Sequence, residues 1–308
     1  MTPSEPPKIR SDEKVALVLG AGGARGLAQI GVIEALEARS LDVVAIAGSS
    51  SGALVGGLHA CGKLHEYRDW LLSLDRRAML RLLDPGFGRS ALFEGTRLIS
   101  ALRTIAGSPK IEDLPIDFTA VAVDLMRQRE VWLREGDMWD AIRASFAIPG
   151  LFTPHIVHGR ALVDGGLLAP LPIAATRLSD AHRLIAVDMH GWPERPPGAL
   201  AQPNGAKAPG SEVAGSKPSM LMRWFRRGAD EAPNGEQPPH ELGFSELMAR
   251  SLDMMQAQIA RVQLALDPPE LVIRIPRDAC QFYEFWRAKE LIALGREEAE
   301  KALDKAGY

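Results

Sequence analysis

The sequence is poor in several features that mark whole classes of protein. It has only two cysteines, Cys61 and Cys280, which stand far apart and fit neither a disulfide framework nor a zinc site. Its formal net charge is -3, so it lacks the basic excess that is typical of proteins that bind nucleic acid. We therefore expect a protein of a reducing compartment that needs no metal and binds no nucleic acid.

Long apolar runs are scarce as well. No stretch approaches the roughly 18 apolar residues of a membrane span, and the polar, proline-rich N-terminus lacks the apolar core of a secretory signal. These features predict a cytoplasmic protein that at most touches the inner face of a membrane. With 46% hydrophobic residues, the composition is otherwise that of a globular protein with a sizeable core.

Short β-branched and aliphatic runs alternate with segments of helical period along most of the chain. Residues 15–19 and 43–47 each lead through a glycine-rich turn into a helix, at 27–38 and 53–60. Such units predict a three-layer α/β/α fold with a mainly parallel central sheet. Further strands are predicted at 118–123, 130–133, 160–163, 184–189 and 271–275. Further helices are predicted at 66–74, 95–105, 138–145, 242–266 and 282–303.

The same alternation of strands and helices predicts one α/β domain over residues 14–308, after a flexible tail at 1–13. Residues 191–240 are rich in proline, glycine, serine and charge, and we expect a mobile insertion there. Within it, residues 220–227 interleave methionine, leucine, tryptophan and phenylalanine with arginines, a pattern that suits an anionic membrane surface. A short helix that caps the domain or joins a partner chain fits this segment equally well.

The sharpest chemical signal is Ser50, at the centre of a Gly-Ser-Ser-Ser-Gly turn that begins at Gly48 and ends at Gly52. Between a strand and a helix, this is the pattern of a nucleophile elbow, because only small residues fit beside a serine in so tight a turn. The helix that follows directs its positive end at Ser50 and favours a developing oxyanion. A plain turn of small residues is the alternative interpretation.

A second signal is the glycine-rich segment at 20–26, after the first predicted strand. Its glycines allow consecutive amides, those of Gly22, Gly23 and Ala24, to converge as an anion-binding nest that could serve as an oxyanion hole. Arg25 could bind a substrate phosphate or hold the loop through backbone carbonyls. A dinucleotide site with Asp42 as its ribose-binding acid is a rival, although the third glycine of that fingerprint would fall on Arg25.

The third signal is Asp164, followed by two glycines at the end of a short predicted strand. Glycines there let the chain turn away and leave the carboxylate at the strand end, where it could accept the proton of Ser50. All seven histidines follow Ser50 in the chain, so a histidine-dependent esterase of the α/β-hydrolase type stays open. Of these, His190 is the strongest competitor as base, because it follows a predicted strand.

These three motifs, in this order, resemble the signatures of the patatin-like phospholipase family. The resemblance extends to the segments 141–145, 148–152 and 285–292, and so covers most of the chain outside the tail and the insertion. Four positions depart from the common pattern without removing a reacting group. They are Gln29, Ser49, Ser51 and Ala169.

The resemblance implies a lipid acyl hydrolase that acts on phospholipids or other fatty acyl esters without cofactor or metal. By it, Ser50 is the nucleophile and Asp164 its partner in a two-residue dyad that works through an acyl-enzyme. The amides around Gly22, Gly23 and Ala24 form the oxyanion hole, with Arg25 beside them. Two other classes remain open: a nucleotide-binding protein, and a regulatory protein that keeps the fold but turns over little substrate.

Overall fold

The computed structural model describes residues 13–82, 95–193 and 244–308, which form a mixed α/β fold around one sheet. The strands are β1 (Lys14–Leu19), β2 (Asp42–Ser49), β3 (Asp117–Asp124), β4 (Arg129–Leu133), β5 (His155–Val157), β6 (Arg160–Asp164), β7 (Arg183–Gly191) and β8 (Leu271–Pro276). The helices are α1 (Ala28–Ala38), α2 (Ser51–Ala60), α3 (Leu64–Ser73), α4 (Arg76–Leu82), α5 (Thr96–Ala106), α6 (Met138–Ser145), α7 (Phe244–Leu266) and α8 (Ala288–Ala306).

Eight strands form the sheet, in the order β5-β6-β3-β2-β1-β7-β8, with β4 also paired to β3. Five neighbouring strands run parallel to one another: β3, β2, β1, β7 and β8. Strands β4, β5 and β6 are antiparallel to the strands with which they pair. This confirms the predicted mainly parallel sheet. Because parallel strands end at the same edge, the turns after β1 and β2 lie side by side there.

Helices cover both faces of the sheet. On one face, Val15, Leu17 and Leu19 of β1 belong to the main core, which also includes apolar residues of α1, α2, α6 and α8. On the other face, Val18 of β1 packs in a smaller cluster with Ala260 of α7. Strand β1 is therefore apolar along nearly its whole length, as expected for a strand covered on both sides.

The predicted elements recur in the structure, with differences at their ends and among the shortest ones. The three-residue strand β5 and the arginine-rich, seven-residue helix α4 are not among the predicted elements. Elements this short carry too few residues to show a period. The last helix was predicted from residue 282, but α8 begins at Ala288, after a short 3-10 helix at Phe285–Arg287.

The tail predicted at 1–13 and the insertion predicted at 191–240, with its segment 220–227, lie outside the described residues, except for residues 13 and 191–193. Across the three described ranges, no helix combines the length and apolar character that crossing a membrane requires.

Candidate active site

Strand β4 pairs with residues 120–124 along one edge of β3. Strands β2 and β6 pair with neighbouring parts of the same residues, so both lie along the other edge of β3, where their ends meet. The last residue of β2, Ser49, lies opposite Val121, and the last residue of β6, Asp164, lies opposite Ala122. Strand β2 is parallel to β3 and β6 is antiparallel, so the two approach adjacent residues of β3 from opposite directions. This register brings Ser50 to the carboxylate of Asp164.

Ser50 occupies a strained turn between β2 and α2. Its backbone has φ 56° and ψ -121°, a region that residues other than glycine rarely adopt. Glycine is needed on both sides because the backbone approaches itself closely. A Cβ built on Gly48 would lie 2.6 Å from the amide nitrogen of Ala53, and one built on Gly52 would lie 2.6 Å from the carbonyl carbon of Leu19.

The hydroxyl of Ser50 donates a hydrogen bond to Oδ2 of Asp164 at 2.6 Å. The other carboxylate oxygen, Oδ1, accepts a hydrogen bond from the amide of Gly166 at 2.7 Å. Both side chains are almost wholly buried, with 3% of Ser50 and 1% of Asp164 exposed. The serine proton is therefore already directed at a carboxylate, in a site shielded from water.

Burial raises the pKa of Asp164 from 3.8 to about 7, while its hydrogen bonds from Ser50 and Gly166 act in the opposite direction. Removing a carboxylate from water disfavours its charged form, and this effect outweighs the two hydrogen bonds. A carboxylate that titrates near neutral pH is a stronger proton acceptor than an ordinary aspartate.

Ser145, the last residue of α6, holds the elbow from the side. Its hydroxyl accepts a hydrogen bond from the amide of Ser50 at 3.0 Å and donates one to the carbonyl of Val121 at 2.6 Å. All three groups are buried. Ser145 belongs to the family segment 141–145, but the sequence indicates no role for it.

The loop after β1 presents two amides that are unbonded within the described residues, those of Gly22 and Gly23. Among the other predicted donors, the amide of Ala24 donates to the carbonyl of Phe282 at 2.9 Å, and that of Arg25 donates to the carbonyl of Gly22 at 3.2 Å. The loop adjoins the elbow, because a Cβ built on Gly26 would collide with the side chain of Ser51.

The guanidinium of Arg25 is buried and connects the glycine-rich loop to other elements. It donates to the carbonyl of Arg277 at 2.7 Å and forms an ion pair with Asp253 of α7. Of the two roles considered for Arg25, these contacts favour holding the loop.

Helix α7 packs against the turn that follows Asp164. Gln256 is buried, and a Cβ built on Gly166 would come within 2.6 Å of its side-chain nitrogen. Neither Gln256 nor Asp253 was a predicted site residue, because nothing in the sequence relates a position on α7 to motifs about a hundred residues earlier.

None of the histidines in the described ranges is bonded to Ser50 or Asp164. His190 lies at the end of β7, with Nδ1 3.7 Å from Asp188 and Nε2 3.6 Å from Asp253. His240 lies outside the described residues. Among the described residues, the geometry favours Asp164 over the histidines as the partner of Ser50.

The rival nucleotide site finds little support in the geometry. Asp42 is the first residue of β2, opposite Lys14 at the start of β1. The glycine-rich loop follows the other end of β1, so Asp42 and the loop lie at opposite edges of the sheet. Over the described ranges, no cluster of histidine, cysteine or acidic side chains could hold a metal ion.

Residues 17–177 match the family model of the patatin-like phospholipases, which is more than half of the chain. The chain belongs to the patatin-like phospholipase family. An NTE family protein from Mycobacterium bovis is 40% identical over 334 residues, which cover 96% of this chain and 92% of that protein. The lysophospholipase NTE1 of Scheffersomyces stipitis is 32% identical over 198 residues, which cover 62% of this chain and 12% of that protein.

Among solved structures, VipD from Legionella pneumophila aligns with a TM-score of 0.47 and 14% identity, over 96% of this chain and 67% of that one.

The four residues that depart from the common patatin-like phospholipase pattern lie around the site. Gln29 is buried and donates to the carbonyl of Gly20 at 2.7 Å, at the start of the glycine-rich loop. Ser49 donates to the carbonyl of Ala169 at 2.6 Å and so ties the elbow to the loop after Asp164. The hydroxyl of Ser51 is buried without a partner in the described part of the chain.

Proposed function

We propose that this chain is a lipid acyl hydrolase in which Ser50 is the nucleophile and Asp164 its general base. The observation that carries the proposal is the 2.6 Å hydrogen bond from the Ser50 hydroxyl to the Asp164 carboxylate, inside a buried and strained turn. Strained residues cluster at functional sites, because they persist only where the surrounding structure fixes their conformation.

In the first step, Asp164 accepts the hydroxyl proton as Ser50 Oγ bonds to the acyl carbon of the ester. The tetrahedral intermediate then collapses, and the alcohol leaves with the proton from Asp164. In the second step, water gives a proton to Asp164 and attacks the acyl-enzyme. The fatty acid leaves as Oγ takes that proton back, and the dyad returns to its starting state.

The oxyanion formed in both steps needs donors that are not otherwise engaged. We assign this role to the amides of Gly22 and Gly23, which have no partner within the described residues. The amide of Ala24 can contribute only after its bond to Phe282 opens. Helix α2 begins at the residue after Ser50, and its positive end adds to the stabilisation of the anion.

The substrate class follows from the family and its named members. One relative is named a lysophospholipase, and another, from Rattus norvegicus, is a patatin-like phospholipase domain-containing protein that is 32% identical over 190 residues. We propose acyl esters of phospholipids or lysophospholipids as substrates. Because this chain matches only 12% to 14% of those two proteins, the proposal concerns the ester bond and no other property of them.

Labelling with a fluorophosphonate probe tests the nucleophile and the base together. We expect wild-type protein to be labelled, Ser50→Ala to be unlabelled, and Asp164→Asn to react far more slowly. Full activity of Asp164→Asn would contradict the dyad and favour a histidine-dependent mechanism.

An unlabelled wild-type protein that keeps its fold would instead indicate a regulatory protein with little turnover. Titration with NAD(P) under the same conditions tests the nucleotide alternative, for which we expect no saturable binding.

A further inference from the structure

The amides of Gly22 and Gly23, which we propose as oxyanion donors, have no hydrogen bond of their own within the described residues. Glycine has more conformational freedom than any other residue, so these amides keep one orientation only if the residues beside them are fixed. Ala24 is fixed through its amide, which donates to the carbonyl of Phe282 at 2.9 Å. Arg25 follows directly and is held by its side chain.

The backbone of Arg25 sets the direction of one of these donors. Its amide donates a hydrogen bond to the carbonyl of Gly22 at 3.2 Å. The carbonyl of Gly22 and the N–H of Gly23 belong to the same planar trans peptide, so they point in opposite directions. Holding this carbonyl therefore directs the N–H of Gly23, and a displacement of Arg25 would turn the peptide and the donor with it.

The side chain of Arg25 holds the residue in place through a buried charge. Only 4% of Arg25 is exposed, and its guanidinium donates to the carbonyl of Arg277 at 2.7 Å and to the carboxylate of Asp253 on α7. Among the described residues, Asp253 is the one acidic side chain that pairs with Arg25. A buried charge that loses its counterion is strongly destabilised, so the position of Arg25 depends on Asp253.

Apolar packing holds α7 on the domain independently of this ion pair. Leu252 and Leu264 of the helix pack against two core clusters, and Ala257 and Ala260 are buried. Removing the charge of Asp253 should therefore leave the helix in place and release the side chain of Arg25.

We propose that Asp253 is a positioning residue for the oxyanion donors, which it holds in their active orientation through Arg25. The inference rests on the proposed function, because it concerns how the same site stabilises negative charge. These donors act on the oxyanion more than on the bound ester. Loss of the Asp253 charge should therefore lower kcat and leave KM nearly unchanged.

The test compares Asp253→Asn with Asp267→Asn, because asparagine keeps the shape of aspartate and removes its charge. Asp267 directly follows α7 and pairs with Arg177 at 2.7 Å, and its side chain is 34% exposed, close to the 30% of Asp253. Within the described residues, neither Asp267 nor Arg177 bonds to the glycine-rich loop or to the dyad. The control thus removes an ion pair at the end of the same helix without releasing the loop.

Steady-state kinetics with an uncharged soluble ester provide the first readout. We expect Asp253→Asn to lower kcat about tenfold or more and to change KM by less than about twofold. Asp267→Asn should retain kcat within about twofold, because exposed ion pairs contribute little. Asp253→Glu, which keeps the charge, should recover a large part of the lost kcat.

A second variant keeps the test decisive if Asp253→Asn does not fold. Arg25→Gln/Asp253→Asn replaces the ion pair with two neutral amides and leaves no unpaired buried charge, which is less damaging than breaking the pair. We expect the same loss of kcat as in Asp253→Asn, with a cooperative thermal transition as evidence of folding. Wild-type kcat in the folded double variant would overturn the proposal.

Hydrogen exchange followed by mass spectrometry provides a readout that needs no substrate. The amides of Ala24 and Arg25 are hydrogen-bonded and should exchange slowly in the wild type. We expect faster exchange in the peptide that contains residues 20–26 of Asp253→Asn, and wild-type exchange in Asp267→Asn. Equal exchange in all three proteins would show that Asp253 does not hold the loop.

An unchanged kcat in Asp253→Asn would overturn the proposal, and so would equal losses of kcat in the two asparagine variants, which indicate a general loosening of α7. A lower KM for a phospholipid with unchanged kcat would assign Arg25 to the substrate phosphate instead. Labelling of Ser50 by a fluorophosphonate separates these results from failure of the proposed function, which would leave the wild type itself unlabelled.

Discussion

The hydroxyl of Ser145 accepts a hydrogen bond from the amide of Ser50 at 3.0 Å and donates a hydrogen bond to the carbonyl of Val121 at 2.6 Å. The backbone of Ser50 is strained, with φ 56°. A strained residue keeps its conformation only when its surroundings oppose relaxation. Ser145 provides one such restraint, because it fixes the amide of the elbow to β3.

Replacing Ser145 with alanine should therefore damage both stability and activity. The change leaves the buried amide of Ser50 and the carbonyl of Val121 without their partner, at a cost of about 2 kcal/mol in the free energy of unfolding. We expect kcat for a soluble ester to fall about tenfold or more as the elbow relaxes.

The matched control for Ser145→Ala is Thr176→Val. Thr176 is also buried and donates to a backbone carbonyl, that of Ile173, but its hydroxyl bonds to neither the elbow nor Asp164. It should lose similar stability in urea titrations with a much smaller loss of kcat. Equal losses of kcat would show that the effect is general destabilisation.

Activity should depend on pH through Asp164, whose pKa burial raises to about 7. Only the carboxylate form accepts the serine proton, so kcat/KM should reach a plateau above that pH and fall about tenfold per unit below it. Stopped-time assays with an uncharged soluble ester measure the profile. A flat profile between about pH 5 and 8 would contradict Asp164 as the base.

The same pKa shift predicts that Asp164→Asn stabilises the fold at neutral pH. The pKa of Asp164 is 3.8 in the unfolded chain, where the side chain is exposed, and about 7 in the folded protein. The folded state therefore binds the proton more tightly. The free energy of unfolding of wild type therefore decreases as pH rises from about 4 to about 7. Asparagine lacks this titration.

Urea titrations of wild type and Asp164→Asn at acid and neutral pH measure the difference. We expect the difference in the free energy of unfolding between the variant and wild type to grow by a few kcal/mol from about pH 4 to about pH 7, and to stay constant above that. An advantage that does not vary with pH would contradict the raised pKa.

The strain at Ser50 is measurable with two substitutions that both remove the hydroxyl. Ser50→Gly and Ser50→Ala should each abolish labelling by a fluorophosphonate. Glycine adopts φ 56° and ψ -121° without steric cost, whereas alanine keeps the strain, so Ser50→Gly should be the more stable by about 1 kcal/mol. Equal stability of the two variants would indicate an unstrained turn.

Gly23 combines a positive φ of 56° with a crowded side, because a Cβ there would meet the ring of Phe282. Gly23→Ala should displace the loop and lower kcat about a hundredfold, the usual effect of losing an oxyanion donor.

Gly62→Ala is the control for Gly23→Ala, because it introduces backbone strain without a steric clash. Gly62 has φ 70°, but a Cβ there would meet no atom within 4 Å. We expect a loss of about 1 kcal/mol in stability and unchanged kcat. If both variants keep full activity, the loop amides do not stabilise the oxyanion.

Most of the fold could be predicted from local signals. Strands β1 and β2 are apolar along nearly their whole length and end in glycine turns, which is enough to predict a parallel sheet with helices on both faces. The three-residue strand β5 shows why the shortest elements were missed, since its pairing with β6 depends on a turn and not on a hydrophobic period.

The residues proposed to react were also candidates from sequence, because each stands beside glycines that only a tight turn requires. The residues that support them were not. Ser145, Gln256 and Asp253 are ordinary helical residues in the sequence, and their importance comes from what they contact. A contact between distant segments leaves no local pattern.

The order of glycine turns, apolar strands and one Asp-Gly-Gly segment determined, by itself, the fold class and the two side chains on which the proposed chemistry depends. Only the tertiary structure decided that β2 and β6 end at adjacent residues of β3, that Phe282 engages the amide of Ala24, and that α7 turns its methionines outward. Local geometry follows from steric limits within a few residues, whereas these relationships depend on how distant segments pack together.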